Sequence, residues 1–569
     1  MQKAVMSLFK NFKATCFNNN ISEDTKIVSL WRWGMDFRIT IRFILAGIFF
    51  FYSTVCFALP EGYDVQAGSA EFSQPDSNTL DINTSDRVII NYNSFSIANP
   101  EAVNFNQPGG DSVALNRVTG GSISEILGSL TANGKIFLVN PNGVLFGPNS
   151  SVDVAALVAS TLDIDNNDFL NSNYTFREYS DKVGSSVINQ GYIQAKDVAL
   201  IGQAVNNEGT IVTTLGSTVL ASGSAMTLSL DTAGMISVAI DEAVKDKVIV
   251  DGEEVDSAVE NSGEIKADGG VVILTAKIMD DVFDYAVNNE GIIEANSLNN
   301  KEGRVELTAE GDIKSTGNIS VLGGEIQVCT DDSLILGGTY SADSIVFDPV
   351  WVAQVADIKL YGDTTYWATG DININADVKA SGALSFFADA INVDNDREET
   401  GAGAGIGDFI QAAGTLITAI GDVTISGVNV TVDDVISEHD IDISADNQMT
   451  QLDSSELVAV NDMDISGAAL ILYDMYFGGG SFTATSTGGS IDLNGVIKSA
   501  VINLAKVRET VSGGGGGDTS LTLFPVEDSY TNNSYFYSNT NYGSVDEFRV
   551  KYKKNWWGGE RQKMGMVTI

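Results

Sequence analysis

Asn140-Pro141-Asn142-Gly143-Val144-Leu145-Phe146-Gly147 is concentrated turn chemistry set between apolar runs, Ile136 to Val139 before it and Val144 to Phe146 within it. Pro141 fixes its own φ and biases Asn140 towards an extended backbone, while Asn142 and Gly143 tolerate φ > 0. The local reading is strand, tight corner, strand.

Working outward, the upstream flank runs Val103-Asn-Phe-Asn-Gln-Pro108, Val113-Ala-Leu-Asn-Arg-Val118, Ile123, Ile126-Leu-Gly128 and Ala132-Asn-Gly134. Downstream come Val152-Asp-Val154 and Leu157-Val-Ala-Ser-Thr-Leu162. This ordered set resembles the N-terminal secretion domain of filamentous haemagglutinins and high-molecular-weight adhesins, the exported partners of two-partner secretion. The close resemblance covers roughly residues 59 to 165 and continues more loosely to about 310. Where some members carry a second motif, NPNL, this chain reads Asn106-Gln-Pro-Gly109, as in the adhesin branch.

Earlier strands alternate with period two: Leu80-Asp-Ile82, Arg87-Val-Ile-Ile90 and Phe95-Ser-Ile97. Beyond the signature block lies a looser repeat. Ile188-Asn-Gln-Gly-Tyr-Ile193, Val205-Asn-Asn-Glu-Gly-Thr-Ile211, Val259-Glu-Asn-Ser-Gly-Glu-Ile265 and Val287-Asn-Asn-Glu-Gly-Ile-Ile293 share one form. A second version follows at Asp371-Ile-Asn-Ile374, Asp422-Val-Thr-Ile425, Asp440-Ile-Asp-Ile443 and Asp462-Met-Asp-Ile465, with steps of 18 and 22 residues between the last three. Unequal steps near twenty residues, each with short strands and an Asn/Gly corner, fit a parallel β-helix. Each coil turns apolar side chains inward, corners need residues that tolerate left-handed φ, and stacked Asn side chains can bond from coil to coil. A β-sandwich or propeller is the competing architecture. The expectation is all-β: a right-handed parallel β-helical solenoid with extra-helical hairpins and a truncated β-sandwich segment at the C-terminus. About twenty coils at ~4.8 Å each would stack to about 100 Å.

Two stretches break the rhythm. Asp165 to Lys182 is polar with scattered aromatics, and Asp251-Gly252 sits between β-formers as a hairpin signal. Both read as excursions packed on the helix wall.

The domain reading is 1–58 extended signal peptide, 59–310 secretion domain, 311–511 β-helix stalk, 512–518 glycine linker and 519–569 partial sandwich module. The leader has a basic bias, an apolar run from Phe43 to Ala58 and small residues before Leu59, which places signal cleavage between Ala58 and Leu59. That run is shorter than the ~20 residues of a spanning helix, and Val55 spoils a lipoprotein box. After Gly513 to Gly517, Phe524-Pro-Val-Glu-Asp-Ser-Tyr530 and Asn539-Thr-Asn-Tyr-Gly543 resemble the opening of DNRLRE-type jelly-roll modules. The chain stops at Ile569 inside a strand, which reads as a truncated module.

Composition narrows the function. The formal net charge is -43, and the leader carries more basic than acidic residues, so the remainder is more acidic still. Such a surface repels nucleic acid and anionic lipid. Cys329 is the one cysteine outside the leader, so there is neither a disulfide framework nor a cysteine metal cluster. The one histidine, His439, sits in a strand-turn pattern and reads as a surface turn residue. Metal, cofactor-binding and catalytic sites are expected to be none.

The resemblance implies a secreted or surface-exposed exoprotein of a Gram-negative bacterium that passes the general secretion translocase and the periplasm. An outer-membrane two-partner transporter with periplasmic docking domains would then carry it out. Asn140, Pro141, Asn142 and Gly143 are the expected transporter-recognition and structural turn. The alternatives are a β-helix polysaccharide-active enzyme and a carbohydrate-binding surface protein with a host or matrix polysaccharide as partner. A contact-dependent toxin would share the secretion domain, but these residues show no toxin domain.

Overall fold

A computed structural model describes residues 59–499 apart from 179–184, 231–235, 251, 299–300, 391–405, 479 and 495–496, together with three short strands further on. These residues all belong to the compact unit 57–569. The leader, and most of the glycine linker and C-terminal module, lie outside the described residues.

Each turn of the chain lays down three short strands, and each strand pairs in parallel with its counterpart one turn on. One such turn is Val144–Phe146 on a first face, Ser151–Asp153 on a second and Ala156–Ser160 on a third. They pair with Ser186–Asn189, Tyr192–Ala195 and Asp197–Gly202 of the next turn. This is a parallel β-helix, as the repeat predicts. The stack passes residue 310 with all three ladders intact. Around Ser333–Asp348 the corners become so smooth that one 16-residue strand serves all three faces, with register shifts where it bends.

Alternation sends every second side chain inward. Val144, Phe146, Val152, Val154, Leu157 and Ala159 are buried in one continuous core with their counterparts above and below. No turn could bury this face alone; its neighbours do so. Wider turns hold aromatics, with Tyr366 and Phe386 stacked at 4.7 Å and Phe386 against Phe409 at 5.1 Å. The Tyr340 hydroxyl, fully buried, donates to the Ser315 carbonyl at 2.7 Å and lies 2.8 Å from the Ser315 hydroxyl, and burial pushes its pKa up.

The stack does not leave its first edges open. Asp64–Ala67 runs antiparallel against Val88–Tyr92, and Ala70–Asp76 against Thr79–Thr84. Both cover the outer side of strands that would otherwise present a bare row of N–H and C=O groups. The same holds at the far end. Thr519–Leu523, placed by sequence at the head of a separate module, pairs antiparallel with Phe482–Leu493.

The excursions take the expected form and one unexpected role. Ile249–Val250 pairs with Glu253–Glu254 across Gly252, whose φ is +89°. The segment after Asp165 forms a short helix, Asn166–Leu170, and a strand, Tyr174–Arg177. That strand joins Asp163–Ile164, Ala225–Leu230 and Ile236–Glu242 in a four-stranded antiparallel sheet. The sheet lies over the third face and makes a second core, where Phe169, Tyr174, Phe176, Met226 and Leu228 meet Leu115, Phe137, Val158 and Val219. Strands on that stretch are therefore buried on both sides.

Left-handed φ occurs at corner glycines such as Gly143, Gly311 and Gly338, as expected, but one column of glycines is required for space instead. Gly191, Gly209, Gly263, Gly291 and Gly317 stack where the first face turns into the second, and none has positive φ. A Cβ at Gly209 would lie 2.3 Å from the Gly191 carbonyl oxygen, and one at Gly263 2.2 Å from that of Gly209. The turns approach too closely there for any side chain. Gly263→Ala should therefore destabilise by about 1–3 kcal/mol, whereas Gly121→Ala, with open space around it, should be near neutral. Denaturant midpoints of the two variants check this, and equal midpoints would refute the close-approach argument.

Candidate functional site

The Asn140–Gly143 corner joins the third face to the first. Asn140 is fully buried, Gly143 is buried and Pro141 and Asn142 are half-buried. Asn140 Nδ2 donates to the Ser122 carbonyl at 3.0 Å and to Ser124 Oγ at 3.0 Å, one turn back. Its Oδ1 accepts from the Asn142 backbone N–H at 2.9 Å and from Asn142 Nδ2 at 2.8 Å. Asn142 Nδ2 also donates to the Gly120 carbonyl at 2.9 Å. The backbone N–H of Asn140 reaches forward to the Ser160 carbonyl at 2.9 Å. Gly143 supplies the left-handed φ of +123°; Asn142 does not adopt one. The sequence brings these four residues together as a turn; the Asn140 side chain ties the corner to the turn before it, and its backbone N–H ties it to the turn after.

The repeated Asn residues continue the same logic on the first face. Asn189 Nδ2 donates to Asn207 Oδ1 at 2.7 Å, Asn207 to Asn261 at 2.8 Å and Asn261 to Asn289 at 2.8 Å. All four are fully buried. In the second version of the repeat the carboxylates act differently. Asp422 Oδ1 accepts the backbone N–H of Asp440, Asp440 that of Asp462, and Asp371 that of Asp408. Each carboxylate thus takes up an amide that the corner leaves without a strand partner. The aspartates are structural acceptors, distributed over the corners of successive turns. Among the described residues no group of His, Cys, Asp and Glu is placed to hold a metal ion. His439 is exposed on a corner, with Nδ1 3.6 Å from Asp422.

Two features escaped the sequence reading. Gln411 and Gln451 lie inside the first face at positions where the earlier turns have Asn. Gln411 Nε2 donates to the Thr415 and Asp434 carbonyls, and Gln451 makes the same pair of bonds to Ser455 and Asp474. They stand 40 residues apart, two turns rather than one, so the 18- and 22-residue steps are halves of a two-turn unit. Second, Arg117 fastens the overlying sheet. Its Nε donates to Asp163 at 2.7 Å, Nη1 to Asn166 Oδ1 at 2.7 Å and Nη2 to the Ile164 carbonyl. Arg87 makes a second fastening to the Leu170 carbonyl at 3.1 Å and Ser172 at 2.8 Å. The overlooked signal was loss of alternation: Ile136–Val139 and Val198–Ile201 are apolar on both faces, as doubly covered strands are.

An open groove of about 700 Å³ runs over the stacked glycines Gly191, Gly209, Gly263 and Gly291, between Glu208 and Glu290 on one rim and Tyr192 and Glu264 on the other. Behind it, on the first face, Glu260 stands in register between Asn206 and Asn288. Burial pushes its carboxyl pKa up, and Glu290, Glu208 and Asp256 add to the shift against Lys314. The Oδ1 atoms of both asparagines are buried without a hydrogen-bond partner. A protonated Glu260 is the one form of that side chain with a proton to offer them.

Residues 58–321 match the family described as TPS secretion domain. Two curated relatives are both named heme/hemopexin-binding protein of Haemophilus influenzae. One is 38% identical over 280 residues, covering 48% of this chain and 29% of its own length. The other is 29% identical over 436 residues, covering 68% of this chain and 44% of its own length. The chain thus spans less than half the length of either. Among solved structures, the secretion domain of HMW1 from Haemophilus influenzae is 24% identical with a TM-score of 0.45, covering 76% of this chain and all of that one. The filamentous haemagglutinin secretion domain is 15% identical with a TM-score of 0.32, covering 57% of this chain and all of that one.

Arg117→Leu should loosen the overlying sheet by on the order of 3 kcal/mol, because Asp163 keeps its charge in a largely covered place. Proteolysis within residues 163–177 should accelerate, and an unchanged cleavage rate would sink the fastening role. Glu260 binds a proton more tightly folded than unfolded, so its contribution to stability falls as pH rises from the ordinary carboxyl range through its raised value. Glu260→Gln should therefore be more stable than the parent near pH 7, with the gap closing towards pH 4; a gap that stays constant across that range would show that no proton is linked.

Proposed function

We propose, from the match of residues 58–321 to the TPS secretion domain family, that this chain is the exported partner of a two-partner secretion system. On this reading it crosses the inner membrane through the general secretion translocase. A barrel transporter with periplasmic docking domains then carries it unfolded across the outer membrane of a Gram-negative cell, and it folds at the surface as an adhesin-type exoprotein. The observation that supports this beyond the family match is the way the turns depend on one another. A turn emerging from a pore finds its strand partners, its buried Asn partner and its corner acceptors on the turn that preceded it. Folding can therefore advance one turn at a time, and each added turn opposes return through the pore. Cys329 as the one cysteine outside the leader keeps the threading chain free of internal cross-links.

The part shared with the relatives at higher identity has about the length of the secretion domain. What passes across is the route of export, not the ligand in their names. A role for the Asn140–Gly143 corner in transporter recognition belongs to the unfolded chain, since the folded corner buries Asn140.

Export into the medium, with and without a cognate transporter, tests the reading; transporter-independent release would overturn it. Asn140→Ala compared with Gly263→Ala separates recognition from folding. If export of Asn140→Ala falls at least about tenfold below that of a variant of equal stability, the corner is read. If the two fall together, the corner is structural alone.

A further inference from the structure

From Asn318 onward one outward column of the second face runs Asn318, Thr339, Lys359, Lys379, Thr418, Ile436, Val458, Tyr476 and Lys498 in register. Between Thr418 and Lys498 it is apolar. At the corner where these strands end stand Ile420, Glu438 and Val460. Ile420 is 51% exposed, Ile436 37% and Val460 50%, while Val458 and Tyr476 are half-buried. Exposed apolar side chains scattered singly need no explanation; here five lie together on successive turns.

The strands open on carboxylates, Asp434, Glu456 and Asp474. Asp434 Oδ1 accepts the Glu456 N–H at 2.7 Å. Glu456 is exposed, with Oε1 3.4 Å from the Tyr476 hydroxyl. An aliphatic strip therefore runs along the stack with a carboxylate strip beside it. Residues 398–497 contain sixteen Asp and Glu and neither Lys nor Arg.

Residues 549–563 reverse that balance. Arg549, Lys551, Lys553, Lys554, Arg561 and Lys563 stand against Glu560, with Tyr552, Trp556 and Trp557 among them. Most of this segment lies outside the described residues; within it Tyr552–Lys553 pairs antiparallel with Arg561–Gln562. Its point of departure is near the strip, because Thr519–Leu523 is held on Phe482–Leu493, which follows Asp474–Phe477 in the chain. The 26 residues from Leu523 to Arg549 reach up to about 85 Å when extended. Ile420 and Tyr476 are three turns apart, or about 14 Å.

We propose that segment 549–563 docks on this strip of its own chain, its Lys and Arg side chains against Glu456, Glu438 and Asp434 and its aromatic rings over Ile436, Val458 and Val460. Opposite charge and exposed apolar surface meet there in one place. Five apolar side chains fall far short of the roughly 20–30 residues a side of a standard interface between separate proteins, which argues against a second copy as occupant. A tethered segment acts at an effective concentration on the order of mM and needs less contact. The docking is independent of the export route.

Trypsin cleavage of the full chain within residues 549–563, followed by mass spectrometry against an added reference peptide, tests this. At about 0.01 M salt, Ile436→Ser/Val460→Ser and Glu456→Lys should each be cut at least fivefold faster than wild type. Leu322→Ser, at an exposed apolar residue elsewhere, should be cut at the wild-type rate. At about 1 M salt, where the Debye length falls from about 30 Å to about 3 Å, the gap should close for Glu456→Lys and persist for the double variant. Far-UV circular dichroism checks that each variant keeps its strands. Equal cleavage of wild type and both strip variants would overturn the proposal. So would protection that disappears on dilution, which would make the occupant a second copy.

Discussion

What the molecule depends on is the hydrogen bonding that ties the polar groups left over at each corner to the adjoining turn. Strand ladders satisfy the backbone along the faces, but corners leave amides and carbonyls over. Three side-chain solutions appear along the chain. Asparagines hand a hydrogen bond from one to the next through Asn189, Asn207, Asn261 and Asn289. Glutamines bridge two carbonyls, as Gln411 and Gln451 do. Aspartates accept a leftover amide, as Asp422 and Asp440 do. An unmade bond in such a place costs about 1–3 kcal/mol, so register is set at the corners as firmly as in the ladders.

This also accounts for part of the chain's acidity. Carboxylates stacked at one corner repel, yet each is held by a charge-assisted bond to an amide that has no other acceptor. The acidic surface is thus partly a by-product of corner chemistry.

The repeat of Asn-x-Gly and Asp-x-x-Ile units announced the parallel helix, because period-two strands and corner residues are local signals. The Asn140–Gly143 corner was legible for the same reason. The sheet over the third face was not. Its central pairing, Tyr174–Arg177 with Ala225–Leu230, joins segments some fifty residues apart, and no short-range pattern records that these two segments meet. The double burial of Phe137 and Val158 hinted at a cover without saying what supplies it. The stacked glycines from Gly191 to Gly317 were read as conformational when they answer to crowding, since sequence shows a missing side chain but not the carbonyl that excludes one.

The two-turn unit marked by Gln411 and Gln451 has a bearing on how such a chain changes length over generations. A duplication of 40 residues would return glutamine over the same kind of neighbour and leave the phase intact. A duplication of half that length would set glutamine against glutamine, or drop an apolar residue where a bridging amide is wanted. Growth of this part of the molecule by duplication that keeps the phase therefore adds turns in pairs.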